Sequence, residues 1–180
     1  MNTMETERLI LRKLTLNDID ELIENGNDRE LSFLTYYLPY PLDENGAKKI
    51  ILEENTNDDL FRFAVELKSE KKLIGIVDLY NLKKKEGKIK IGYWLGKNYR
   101  KVGYGTESVK KIMDYAIDEL NVKKICAKVL IINNDSRKLL EKLGYEKTKI
   151  TANDKFLNGM RIDTVSYEFN AINKLKKVVK

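Results

Sequence analysis

Between Lys88 and Leu120 the chain reads as a strand, a glycine-interrupted turn and a long helix, and this unit confines the fold to the α/β class. Lys88-Ile89-Lys90-Ile91 alternates polar and apolar residues, the period of a strand with one buried face. Val109, Ile112, Met113, Ala116, Ile117 and Leu120 recur at three- and four-residue steps, one face of a helix. Between them lies Gly92-Tyr93-Trp94-Leu95-Gly96-Lys97-Asn98-Tyr99-Arg100-Lys101-Val102-Gly103-Tyr104-Gly105-Thr106-Glu107. The first N–H groups of a helix have no partners within it, and the macrodipole places partial positive charge there. Gly103 and Gly105 would let a phosphate approach that backbone closely, and Arg100 and Lys101 would add formal charge. The spacing Arg-x-x-Gly-x-Gly is not a dinucleotide fingerprint, whose third glycine is here Ser108, and no Gly-Lys-Ser/Thr triplet marks a P-loop.

The flanking sequence supplies partners for this unit. Glu7–Leu14 reads as a first strand; Thr15, with Asp18 three residues on, opens a helix striped by Leu16, Ile19, Leu22 and Ile23 and stopped at Gly26. A second helix is expected near Glu30–Tyr37, ending at Leu38-Pro39-Tyr40-Pro41, and Asp43 is placed as the N-cap of a third running to about Asn55. This aromatic and acidic region (Phe33, Tyr36, Tyr37, Tyr40) suits either a substrate lid or a packed helix pair. Strands Leu60–Leu67, Leu73–Tyr80 and Lys88–Leu95, joined by short polar connections, predict an antiparallel meander. A helix from about Thr106 to Leu120 then leads to an apolar central strand, Lys124–Ile132.

Asn133-Asn134-Asp135-Ser136 is a turn-and-cap cluster before a short helix through Leu139, Leu140 and Leu143, stopped by Gly144. Strands Tyr145–Thr151 and Ile162–Phe169 flank a loop, Asn153–Gly159. The order β-α-α-α-β-β-β-α-β-α-β-β describes a single mixed, mostly antiparallel sheet flanked by helices. One domain over 1–170 is expected, with 171–180 a basic, frayed tail.

Composition narrows the chemistry. There is no histidine, which removes Ser-His-Asp and Cys-His catalysis and the commonest metal ligand, so no metal is expected. A single cysteine, Cys126, permits no internal disulfide, and its apolar setting predicts a buried small residue. No secretory signal or membrane-length apolar run is visible, so a cytoplasmic protein without a membrane partner is expected. The net charge is +6, but residues 17–59 hold twelve acids and three bases and carry −9, leaving +15 elsewhere. One region suits a cationic partner and the other an anionic one, or both are solvated faces. The lysines lack an aromatic interleave or helix-turn-helix spacing, so nucleic acid is not expected as the primary ligand.

Arg-x-x-Gly-x-Gly between strand and helix resembles the pyrophosphate-binding element of the GNAT acyltransferases, which hold acetyl-CoA. Further phrases, in order, resemble the branch of Rim-type ribosomal-protein N-terminal acetyltransferases. These are Glu7-Arg8-Leu9-Ile10-Leu11-Arg12, Tyr40-Pro41-Leu42, Phe63-Ala64-Val65, Leu73-Ile74-Gly75 and Ile91-Gly92-Tyr93-Trp94-Leu95. Asn133-x-x-Ser136 leading into Leu140-Glu141-Lys142-Leu143-Gly144-Tyr145, and Leu157-Asn158-Gly159 with Asp163, complete the match over about residues 4 to 169.

The resemblance implies the GNAT fold and direct acetyl transfer from acetyl-CoA to a primary amine. The acceptor expected is the α-amine of a protein or peptide N-terminus; a polyamine and a catalytically idle acetyl-CoA-binding module are the alternatives. It implies that Trp94, Leu95 and Gly96 offer backbone groups to the pantetheine arm and that Arg100, Lys101, Val102, Gly103, Tyr104, Gly105 and Thr106 hold the pyrophosphate. Asn133 would contact the pantetheine arm, and Ser136 would both contact cofactor and protonate the departing thiolate, although its position equally suits a helix N-cap. The family's usual acid positions are occupied by Lys90 and Lys155, which leaves Asp78 and Asp154 as weak candidates for a base. A monomer or a homodimer is compatible with the sequence.

Overall fold

The structure, a computed structural model, describes residues 3–35, 37–53, 57–157 and 159–171. Among the described residues eight strands form one mixed sheet in the order β1-β2-β3-β4-β5-β6-β8-β7. The strands are β1 (Met4–Glu5), β2 (Leu9–Arg12), β3 (Leu60–Leu67), β4 (Lys72–Lys83), β5 (Lys88–Leu95), β6 (Lys124–Leu130), β7 (Glu146–Leu157) and β8 (Met160–Asn170). Helices α1 (Ile19–Gly26), α2 (Arg29–Thr35) and α3 (Glu44–Leu52) follow β2; α4 (Tyr104–Asp118) follows β5 and α5 (Asn134–Lys142) follows β6. β5 and β6 run parallel through Lys88–Lys90 and Lys124–Cys126, while β1–β2, β2–β3, β3–β4, β6–β8 and β7–β8 are antiparallel.

The expected order of elements holds, with an added two-residue β1 and several moved boundaries. The first strand is confined to Leu9–Arg12. Helix α4 begins at Tyr104 instead of Thr106, so Gly105 lies inside its first turn. β6 ends at Leu130, and the expected loop Asn153–Gly159 is largely strand, because β7 continues to Leu157 past a register shift between Thr151 and Lys155. Asp43 does cap α3, accepting from the Gly46 amide at 2.7 Å, but α3 ends at Leu52. Tyr36, Asn55, Asn158 and the expected tail from 172 onward lie outside the described residues.

The chain divides into two compact units. The first comprises 1–81 and 92–112, and its core gathers Leu14, Leu22, Leu31, Leu38, Leu42, Ala47, Ile50, Ile51, Ala64, Leu73, Ile76 and Trp94. Removing such side chains from water is the main favourable contribution to folding. In the second unit, 82–91 and 113–180, β6 pairs with β8 over its whole length and β8 pairs with β7. Arg137 of α5 donates to the Tyr167 hydroxyl at 3.3 Å, and that hydroxyl donates to Glu141 at 2.8 Å.

Candidate active site

The end of β5 is shaped by two close approaches. A Cβ built on Gly75 of β4 would stand 2.2 Å from the Trp94 carbonyl oxygen and 2.9 Å from the Leu95 Cα, so only a bare backbone fits there. One residue on, the Gly96 amide donates to the Ile74 carbonyl at 2.9 Å. A Cβ on Gly96 would in turn meet the Asn25 side-chain oxygen at 2.2 Å. Asn25 is fixed in that place by α1: its amide nitrogen donates to the Leu73 carbonyl at 2.9 Å, while Glu21, one turn earlier, accepts from the Leu73 amide at 2.7 Å. The Trp94 indole is buried in the core of this unit, so its backbone is the part offered to a ligand.

A single turn at Lys97–Tyr99 leads to the phosphate-cradle candidate. Lys101 and Gly103 both have left-handed backbone, with φ of 65° and 96°, and successive N–H groups bent this way form a concavity suited to an anion. The first helical bond of α4 runs from the Glu107 amide to the Gly103 carbonyl at 3.1 Å, so the amides of Tyr104, Gly105 and Thr106 precede the helical ladder. Glycine at 103 and 105, a left-handed loop and the opening turn of a helix of 15 residues together fit a diphosphate.

Arg100 is not the outward charge that the sequence suggested. Its Nε donates to the Leu95 carbonyl at 2.9 Å and its Nη2 pairs with Asp28 at 2.8 Å, which ties the loop to the junction of α1 and α2. Burial pushes the Asp28 carboxyl up, but the Leu31 amide and Arg100 bring it below its ordinary value. The charge missed in the sequence is Arg8. Its Nε and Nη2 both reach the Glu107 carboxylate at 2.7 Å, its Nη1 donates to the Val102 carbonyl at 3.1 Å, and its guanidinium carbon lies 4.6 Å from the Tyr104 ring centre. Only the pairing of Arg8 with an acid 99 positions away could have signalled this, and one sequence does not show such a pairing.

In the second unit, Asn133 caps α5, accepting from the Ser136 amide at 3.1 Å. This corrects the N-cap reading of Ser136, which sits in the first turn of the helix. Asp154 accepts from Lys128 at 2.6 Å and from the Thr164 hydroxyl at 2.8 Å, and the Lys128 contact above all holds it below the ordinary carboxylate range. Cys126 is half-buried instead of buried, because its side chain falls on the face of β6 opposite Ile125 and Ala127, and burial pushes its thiol up. In the first unit, Asp78 is buried and holds both its oxygens against Arg62, at 3.0 and 3.1 Å. Neither aspartate is placed as an open base. Among the described residues no cluster of His, Cys, Asp and Glu is placed to hold a metal ion, and no helix is long and apolar enough to cross a membrane.

Six acids of the 17–59 segment have structural partners. Asp18 pairs with Arg12, Asp28 with Arg100, Glu44 with Lys48 and Glu53 with Arg62, while Glu21 and Asp43 accept backbone amides. Much of the negative charge therefore serves the fold.

Comparison with known proteins agrees with this geometry. Residues 8–146 match the acetyltransferase (GNAT) domain model. The uncharacterised N-acetyltransferase p20 of Bacillus licheniformis is 32% identical, with 97% of this chain and 98% of the relative covered. The relative named "Putative ribosomal N-acetyltransferase YdaF" of Bacillus subtilis (strain 168) is 26% identical over 89% of this chain and 90% of its own. Among solved structures, spermidine N-acetyltransferase from Vibrio cholerae in complex with CoA and spermine superposes with a TM-score of 0.83 at 20% identity, covering 94% of this chain and 99% of that one. RimL, a ribosomal alpha-N-protein acetyltransferase in complex with coenzyme A, gives a TM-score of 0.83 at 14% identity, covering 94% and 98%; at these identities the two structures speak for the fold. The glycine-lined β5 end, the left-handed loop before α4 and the match across most of the chain place this protein in the GNAT family of N-acetyltransferases.

Proposed function

We propose that this enzyme acetylates the α-amine of a protein or peptide N-terminus, taking the acetyl group directly from acetyl-CoA. The observation that carries the choice of acceptor is that none of the four positions considered for a base presents an open carboxylate. Lys90 and Lys155 stand at the family's usual acid positions, Asp78 is committed to Arg62, and Asp154 to Lys128 and Thr164. An α-amine, with a pKa of about 7.7–8.0, is partly neutral near pH 7 and needs little help, whereas a lysine-type amine near 10.4 needs a strong base. The YdaF relative supports the same reading.

When bound, acetyl-CoA supplies an activated thioester. The chain's part is to hold its diphosphate on the amides of the Arg100–Thr106 loop, with Lys101 adding charge, and to offer the backbone at Trp94–Gly96 to the pantetheine arm and carbonyl. The Gly96 amide is engaged by Ile74 and the Leu95 carbonyl by Arg100, so these bonds fix the strand end in shape. The Gly96 amide is thereby spent on Ile74 and is not itself a donor to the thioester carbonyl. Asn133 and Ser136 take the roles that the family pattern gives them: the pantetheine contact, and the proton donor to the leaving thiolate. The acceptor nitrogen loses its proton to solvent and Ser136 regains one from solvent, so that amine and thioester give amide and thiol with no net change in the enzyme.

A polyamine acceptor is the second reading, supported by the −9 charge of residues 17–59 and by the fold shared with the spermidine enzyme. A steady-state assay of thiol release at pH 7 separates them, with α-amino peptides and spermidine as acceptors. Turnover with the peptides is expected. Turnover with spermidine and none with any peptide would overturn the α-amine reading, and cofactor binding without thiol release for either amine would leave an idle module.

A further inference from the structure

We propose that Arg8 is a positioning residue of the phosphate cradle, cancelling the charge of Glu107 so that a diphosphate on the adjoining loop is not opposed by a nearby carboxylate. The proposal rests on the acetyl-CoA reading of that cradle. Glu107 stands one turn into α4, where a negative charge suits the helix dipole but opposes any anion on the same helix end. Its carboxylate is strongly held: it accepts from the Thr6 hydroxyl at 2.6 Å, the Arg8 amide at 2.9 Å, and Arg8 Nε and Nη2 at 2.7 Å each. Burial pushes Glu107 up, yet these bonds bring it below its ordinary value, so protonation gives no relief at neutral pH.

Arg8 is where the two demands meet. The edge of its guanidinium opposite Glu107 donates to the Val102 carbonyl, and its flat face lies over Tyr104. A Cβ on Gly103 would stand 3.1 Å from Arg8 Nη2, so the guanidinium lies directly against the left-handed turn of the cradle. One rigid fork thus joins the carbonyl entering the cradle to the acid on the helix leaving it, a geometry available to arginine and not to lysine. Removing Arg8 would leave an ionised Glu107 beside the phosphates.

The test is calorimetric titration of CoA into the full chain and into R8Q, E107Q and R8Q/E107Q at low salt, with thermal unfolding of each recorded. R8Q should bind about tenfold more weakly, while E107Q and the double variant stay within about threefold of the parent, since removing the acid removes the need for its counter-charge. Unchanged affinity in R8Q would overturn the proposal. A double variant as weak as R8Q would also overturn it, since Arg8 would then be acting on the ligand directly or on the fold alone. Failure of the parent chain to bind CoA would overturn the cofactor reading itself, and is recognised before any variant is made. If R8Q unfolds too readily to titrate, R8M against R8M/E107Q, which removes the charge but keeps an unbranched apolar stem, carries the same comparison, with recovery in the double variant expected and no recovery overturning the proposal.

Discussion

Adding one methyl group at Gly75 would place carbon 2.2 Å from the Trp94 carbonyl oxygen, and the obstacle is backbone, not the end of a flexible side chain. Gly75→Ala should therefore force β5 away from β4, lowering stability by about 2 kcal/mol or more and weakening CoA binding, as read by denaturant unfolding and calorimetry. Gly103 makes a poorer probe of the phosphate site. Its φ of 96° and the Arg8 contact mean that any side chain there disturbs loop and ligand together. Ser136 makes a cleaner one, because Asn133 carries the cap of α5. Ser136→Ala should cut kcat about tenfold or more while CoA affinity stays within about threefold; an unchanged kcat would remove the proton-donor role. The glycines and the Arg-x-x-Gly-x-Gly spacing were legible in the sequence because they answer to local backbone needs. The partners of Arg8 and Arg100 were not, since each lies far away in sequence, and that of Asp78 waited on the register of β3 against β4.

Strands and helices show the same division between local and distant causes. The capping signal at Thr15 and Asp18 was readable, and Asp18 accepts from the Thr15 amide at 2.7 Å, but the fork from Arg12 at 2.7 and 2.9 Å was not. That fork makes the β2–α1 junction sensitive to acid. Burial pushes the Asp18 carboxyl up, and Arg12 and the Thr15 groups bring it below its ordinary value; Glu107 is lowered as well. Groups lowered in the folded state contribute stability above their unfolded pKa, near about 4, and lose it as pH falls through the folded value. Urea midpoints should hold above about pH 5 and drop below about pH 4, and Asp18→Asn should flatten that drop while costing about 1–3 kcal/mol at pH 7. Across β3 and β4, Arg62 and Asp78 face each other in register and are both buried. Asp78→Asn should cost about 3 kcal/mol, because it leaves a buried guanidinium short of countercharge. The continuation of β7 past Thr151 escaped the sequence reading for a related reason: its residues are largely exposed, so no buried face marked where the strand continued.

A chain of 180 residues without histidine has few groups that change charge near neutral pH. Its one thiol is pushed upward by burial and by Glu168, so it does not enter that range. On the α-amine reading, kcat/KM should rise with pH through a single ionisation belonging to the acceptor, at about 7.7–8.0. Peptides whose N-terminal residues differ in basicity should move that inflection with them; an inflection fixed across peptides would assign it to the enzyme. The same economy bears on how such a chain diversifies. Surface charges that take no part in the pairings described can drift with the amine being served. Gly75 and Gly96 are closed in by a carbonyl oxygen and by Asn25. In a saturation library selected successively on unrelated amines, these two positions should return glycine every time, an invariant mark of the donor side in a lineage otherwise at liberty to change its clientele.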